Sequence, residues 1–118
     1  MQYMCLIYAD ESGWDRLSDD ERNAMMGEYG AFTQSIRDSG NMVAGEALQA
    51  TGTATTIRIR NGETLLTDGP FAETKEQLGG YYLIEAKDAD EALAIGARIP
   101  AAKYGSVEVR PVAVYEQG

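Results

Sequence analysis

Two helix starts fix how this chain can be laid out. Ser18-Asp19-Asp20-Glu21 matches the S-x-x-E capping box, in which the serine hydroxyl takes the glutamate amide proton and the glutamate carboxylate returns to the serine amide. Met25, Tyr29, Phe32 and Ile36 then recur at spacings of four, three and four, one stripe along a helix that Gly40 is placed to stop. The pattern predicts a helix from Asp19 to Ser39. Asp88-Ala89-Asp90-Glu91 repeats the signature and opens a second helix through Ala92, Leu93, Ile95 and Gly96, ended by Pro100.

The remaining runs read as extended. Gln2 to Ala9 is apolar, with Tyr3, Ile7 and Tyr8 favouring a strand that Asp10-Glu11-Ser12-Gly13 ends. Met42 to Leu48 and Thr53 to Arg60 flank a loop carrying Thr51-Gly52. The second of these runs alternates Thr55, Ile57 and Ile59 against Thr56, Arg58 and Arg60, as a strand with one wet face should. Asn61-Gly62 is a strong hairpin signal, and Thr64 to Thr67 returns as the partner. Leu78 to Ala86 sets Tyr81, Leu83 and Glu85 on one face and Tyr82 and Ile84 on the other. Val107, Val109, Val112 and Val114 make the last strand, where Pro111 favours a sheet edge or a bulge.

The order β-α-β-β-β-β-α-β, read as one domain over residues 1–118, fits an α+β fold: a ferredoxin-like split βαβ with an antiparallel sheet and two helices on one face. The other face of such a sheet is left bare. A second copy is its natural cover, and two sheets closing on each other form a barrel, so a homodimer is expected.

Charge and residue usage narrow the function. Nineteen acidic residues against 10 basic give a net charge of -9, spread along the chain, which argues against nucleic acid as a partner. No apolar run approaches the roughly 20 residues of a membrane span, and the first residues lack the basic start of a signal peptide. A cytoplasmic protein is expected. The single Cys5 rules out an internal disulfide; its alternation with Met4 and Leu6 favours strand core over a reactive thiol. The chain has no histidine, which excludes Ser-His and Cys-His nucleophiles and zinc chemistry. No metal and no cofactor are expected.

The stretch Asp68-Gly69-Pro70-Phe71-Ala72-Glu73-Thr74-Lys75-Glu76-Gln77-Leu78-Gly79-Gly80-Tyr81-Tyr82 resembles the signature of the DGPF-type branch of the YCII-related family. Gly30-Ala31-Phe32-Thr33 and the run from Arg98 to Val112 agree with it in the same order. The resemblance implies a dimeric α-β barrel with a cleft that binds or transforms a small molecule. It also implies a histidine and an aspartate in that cleft. Here the residue eleven positions before Gly40 is Tyr29, and the Asp-Pro step of many members reads Ile99-Pro100, so a His-Asp dyad cannot operate.

Asp68 has two readings. Asp before Gly-Pro makes a turn by bonding to its own backbone, or the carboxylate holds a substrate hydroxyl or amine and exchanges its proton. Tyr29 is either a core tyrosine or a hydrogen-bonding partner of Asp68 in the cleft between the first helix and the sheet; a base role would need a neighbouring positive charge. Phe71, Lys75, Gly79 and Gly80 complete the candidate ligand site, with Thr74 to Gln77 as a one-turn helix and Gly79-Gly80 as a bulge or a close approach of backbone or ligand, where no Cβ fits in either case. Glu46, unusual inside an apolar strand, joins them; if buried it needs a partner such as Arg58, Arg60 or Arg110. The expected function is binding of a small polar molecule, with metal-free acid/base chemistry on Asp68. The alternative is a non-catalytic sensor or protein-partner module, because members of this branch are often encoded beside extracytoplasmic-function sigma factors.

Overall fold

The computed structural model describes residues 1–115. Its first strand, β1 (Gln2–Ala9), buries Tyr3, Cys5 and Ile7 and leaves the intervening residues more exposed, a period of two that marks one covered face. A short helix α1 (Glu11–Asp15) follows, capped by Asp10 accepting from the Ser12 amide. The long helix α2 (Asp19–Asp38) starts on the Ser18–Glu21 capping box, with both reciprocal bonds present at 3.1 and 3.0 Å. The chain continues through β2 (Met42–Ala47), a 3-10 turn Thr51–Thr53, the hairpin strands β3 (Thr55–Arg60) and β4 (Glu63–Asp68), and β5 (Gln77–Glu85). It closes with α3 (Ala89–Gly96), a 3-10 turn Pro100–Lys103 and β6 (Ser106–Pro111).

Four strands form an antiparallel sheet in the order β2-β5-β1-β6, the ferredoxin-like arrangement. Pro111 lies at the end of the edge strand β6, where a missing N–H costs no ladder bond. Phe32 and Ile36 of α2 and Ala92 and Ile95 of α3 pack on Tyr3, Cys5, Ile7 and Ile84 as the core. Asp88 caps α3 by accepting from the Glu91 amide at 2.9 Å; the Glu91 carboxylate takes a bond from Asn41 at 3.0 Å instead of closing a second capping box.

The opposite face of this sheet carries Met4, Leu6, Tyr81 and Leu83, neighbours by register across β1 and β5. Glu46 stands beside Tyr81 on β2, and Glu108 and Arg110 lie beside Leu6 and Met4 on β6. Among the described residues no helix covers this face.

β3 and β4 do not join the sheet. They pair only with each other, around Asn61 and Gly62, whose φ angles of 52° and 78° belong to the primed turn expected for Asn-Gly. The Cα radius of gyration is 16.6 Å, and the molecule measures 52 × 48 × 18 Å. A compact chain of this length would give roughly 13.5 Å. The hairpin and the segment after it therefore extend as an arm from a thin two-layer body.

Candidate functional site

Cross-strand register sets the faces of the arm. Ile57 opposes Leu66, Ile59 opposes Thr64, and Thr55 opposes Asp68, so these residues share one face; Thr56, Arg58 and Arg60 lie on the other. The alternation predicts the isoleucines on the dry side. The exposure is reversed: Ile57 and Ile59 are each 64% exposed and Leu66 66%, whereas Thr56 and Arg58 are partly covered.

Asp68 closes β4 at the end of that apolar face and is exposed. Its turn is held by other atoms. The Gly69 amide donates to the Ala54 carbonyl at 2.7 Å, the Gly69 carbonyl accepts from Thr56 Oγ1 at 2.8 Å, and Gly69 has φ +99°, a conformation that disfavours any side chain. Among the described residues the Asp68 carboxylate has no hydrogen-bond partner. The Asx-type bond of the turn reading does not form, which leaves both oxygens uncommitted.

Phe71 is 82% exposed and Lys75 is exposed. Lys75 is a minor contributor to holding the Asp10 carboxyl below its usual range; the main cause is the hydrogen bonding from Ser12, with Arg16 also helping. Thr74 to Gln77 is not a helical turn. Thr74 Oγ1 donates to the Glu76 carbonyl and Gln77 Nε2 to the Thr74 carbonyl at 2.5 Å, which satisfies the polar groups without one. Gln77 Oε1 takes the Glu11 amide at 2.9 Å, and Ser106 Oγ donates to Glu76 at 2.7 Å, tying the end of the segment to the body.

The two glycines differ. A Cβ on Gly80 would lie 2.7 Å from the Glu46 carbonyl oxygen, so close backbone approach to β2 requires glycine there. A Cβ on Gly79 meets nothing within 4 Å, which corrects the expectation that neither position admits one. Glu46 is exposed on edge strand β2 and forms no ion pair with an arginine. Arg110 pairs instead with Glu108.

Tyr29 packs against the core, and its hydroxyl lies 3.4 Å from that of Tyr104, which in turn donates to Met25 Sδ at 3.2 Å. Burial, reinforced by the Tyr104 hydroxyl and by the neighbouring phenols, holds Tyr29 far above the ordinary phenol range, the opposite of what a base needs. No hydrogen bond joins Tyr29 to Asp68. The space between α2 and the sheet is not a cleft: Phe32, Ile36, Cys5 and Ile84 fill it, and the Phe32 and Tyr82 rings meet edge to face with centroids 5.1 Å apart.

The depressions lie elsewhere. One of about 410 Å³ sits between the outer side of α2 and the turn at Pro100, lined by residues that include Phe32, Ser35, Arg98 and Lys103. Another, of about 390 Å³ and largely apolar, lies between α3 and β6. None of Asp68, Tyr29, Phe71, Lys75, Gly79, Gly80 or Glu46 lines either one. Sequence reading missed Arg98 and Lys103 because a cation just past a helix is ordinary, and only the fold sets them against α2. Among the described residues no three histidine, cysteine or acidic side chains converge as a metal site would require. No helix there is long and apolar enough to cross a membrane.

The fold is a ferredoxin-like sheet with helices on one side. The chain belongs to the YCII-related domain family, whose domain matches residues 1–116. It is 41% identical over 120 residues to an uncharacterised protein of Rhizobium meliloti strain 1021, covering all of this chain and 97% of that one. Its fold is similar to that of 5-chloro-2-hydroxyhydroquinone dehydrochlorinase, TftG, from Burkholderia phenoliruptrix AC1100, solved with 2,5-dihydroxybenzoquinone. The TM-score is 0.55 at 13% identity, over 96% of this chain and 94% of that one.

Proposed function

We propose that the protein is a homodimer that binds a small polar organic molecule where a second copy covers the arm, and that Asp68 is the acid/base group of that site. The observation that carries this is the placing of an uncommitted Asp68 carboxylate at the end of an exposed face formed by Ile57, Ile59 and Leu66. Water is a poor neighbour for such a surface, and an isologous contact would bury it twice. Asp68 and Phe71 would then leave bulk solvent together, and a carboxylate with no internal partner would be available to a ligand.

The dehydrochlorinase named for the fold neighbour supports the class of chemistry. Loss of hydrogen chloride begins or ends with removal of a proton, which a carboxylate can accept without a metal. Tyr29 contributes hydrogen bonding through Tyr104 and no base function. Lys75, Gly79 and Glu46 enter the proposal as further ligand contacts; Gly80, packed against the β2 backbone, serves the sheet.

The missing histidine favours a second reading, in which the same arm docks a different protein, such as an extracytoplasmic-function sigma factor, and no reaction follows. Native mass spectrometry of the purified protein separates the two. The expected result is a dimer that retains a small molecule, lost in Asp68→Asn with the dimer intact, and a monomer for the double variant Ile57→Ser, Leu66→Ser. A wild type that stays monomeric at micromolar concentration sinks the first reading. So does full ligand occupancy in Asp68→Asn.

A further inference from the structure

We propose that the depression between α2 and the Pro100–Lys103 turn is a separate binding site for a small organic monocarboxylate, held by the Arg98 guanidinium. This site lies on the helix side of the molecule, away from both the arm and the bare sheet face, and does not rest on the dimer proposal.

Arg98 follows α3, where a cation would ordinarily turn back to the last helix carbonyls. Its side chain does not do so. The guanidinium crosses to α2, donates from Nη2 to Ser35 Oγ and stacks on the Phe32 ring, 5.6 Å from its centroid. Ser35 is itself oriented, since its hydroxyl proton is given to the Phe32 carbonyl at 2.7 Å, leaving a lone pair to accept from Arg98. One nitrogen and one face of the guanidinium are thus fixed. The other N–H groups have no partner among the described residues, and no carboxylate pairs with Arg98.

The charge balance selects the ligand. Lys103 reaches the Glu28 carboxylate at 3.3 Å, so these two lining charges offset each other. Arg98 remains as the single uncompensated cation, which matches a monoanion and not a phosphate dianion. A planar fork of N–H groups fits a carboxylate with two parallel bonds. Ala31, Phe32 and Pro100 supply apolar lining for the body of the ligand, and about 410 Å³ accommodates a molecule of the size of an aromatic acid. With a net charge of -9 the chain gives no long-range attraction to anions, so affinity must come from this local geometry.

Benzoate, its neutral isostere benzamide and inorganic phosphate form the test set, titrated into the isotopically labelled full chain and followed by amide NMR shifts. Benzoate should give saturable shifts at Ala31, Ser35, Arg98 and Lys103, and benzamide should not. Arg98→Gln should weaken benzoate about tenfold or more, the size of a lost charged hydrogen bond. Glu28→Gln, which frees Lys103, should tighten it several-fold, and this second variant keeps the test sharp if Arg98→Gln does not fold. Equal binding of benzamide, unchanged benzoate affinity in either variant, tighter binding of phosphate, or shifts confined to other regions would overturn the assignment.

Discussion

In the four-stranded sheet Cys5 and Ile84 lose all exposure beneath the helices, whereas in the arm Ile57, Ile59 and Leu66 keep about two thirds of theirs. Both regions are built from strands with the same β-branched and apolar patterning, and both are paired antiparallel, the sheet with a bulge at Gly79 and the arm without one. The difference is whether the chain contains the surface that each face requires. α2 and α3 cover one face of the sheet, so that layer is completed within the chain. Among the described residues nothing covers the apolar face of the arm, and each of its large apolar side chains forgoes most of the roughly 1.5–3 kcal/mol that full burial would supply. An element left so incomplete is where a second copy, a partner or a ligand has most to contribute, and Asp68 is on it.

The largest expected effect tests this division directly. Ile84→Ala should destabilise the fold by about 2–5 kcal/mol through lost burial and the cavity left behind. Leu66→Ala should change it by no more than about 0.5 kcal/mol in dilute protein. Denaturant midpoints read at two protein concentrations measure both. A Leu66→Ala cost that matches Ile84→Ala at low concentration would mean that the arm packs on its own subunit, and the contrast would disappear.

A somewhat smaller effect belongs to the core alone and appears at high pH. Burial pushes the Cys5 thiol up to about 11 from a starting value of 9.0. The folded value is raised, so its contribution is fully present below pH 9 and is lost as the pH rises through 11. The unfolded chain releases the proton first, and stability falls by about 1.4 kcal/mol per pH unit across that window, ~2–3 kcal/mol in all. Tyr29, also raised by burial, adds a loss of the same sign at still higher pH. Melting temperatures from pH 8 to 11 should fall less steeply in Cys5→Ala than in wild type, while Leu66→Ala should follow the wild-type slope. Parallel curves for all three would show that the thiol is not shielded as its packing implies.

The same division explains what was legible in the sequence. Capping residues, the Met25-Phe32-Ile36 stripe and Asn61-Gly62 are local signals, and each produced the element it predicts. The five-residue α1 was not legible, because Glu11 to Gly13 reads as a turn and the helix depends on Asp10 accepting from Ser12. Alternation in Thr55 to Arg60 marks the isoleucine face as the dry one, and that face lies exposed, because the pattern carries no information on what covers it. Asp68 was legible as a candidate through its neighbours in sequence, while its lack of a backbone bond depends on Gly69 pairing with Ala54, fourteen residues upstream of Asp68. Arg98 was invisible because its meaning lies in the Phe32 ring and the Ser35 hydroxyl on another helix.

The smallest effect concerns two adjacent glycines that sequence cannot tell apart. Gly80→Ala places a methyl 2.7 Å from the Glu46 carbonyl oxygen and 3.3 Å from Ala47 Cα, both backbone atoms of β2, so relief requires β2 to move away from β5. A cost of about 1–3 kcal/mol is expected, at every protein concentration, because the clash is internal to the sheet. Gly79→Ala meets open space and has no positive φ, so it should be neutral or stabilise by up to about 1 kcal/mol through the unfolded chain. If Gly79→Ala instead loses stability only at concentrations where copies associate, the added methyl is touching a surface that one subunit does not contain. That outcome would place the second copy against the start of β5, a few residues from Lys75, and would extend the shared surface from the arm to the edge of the sheet.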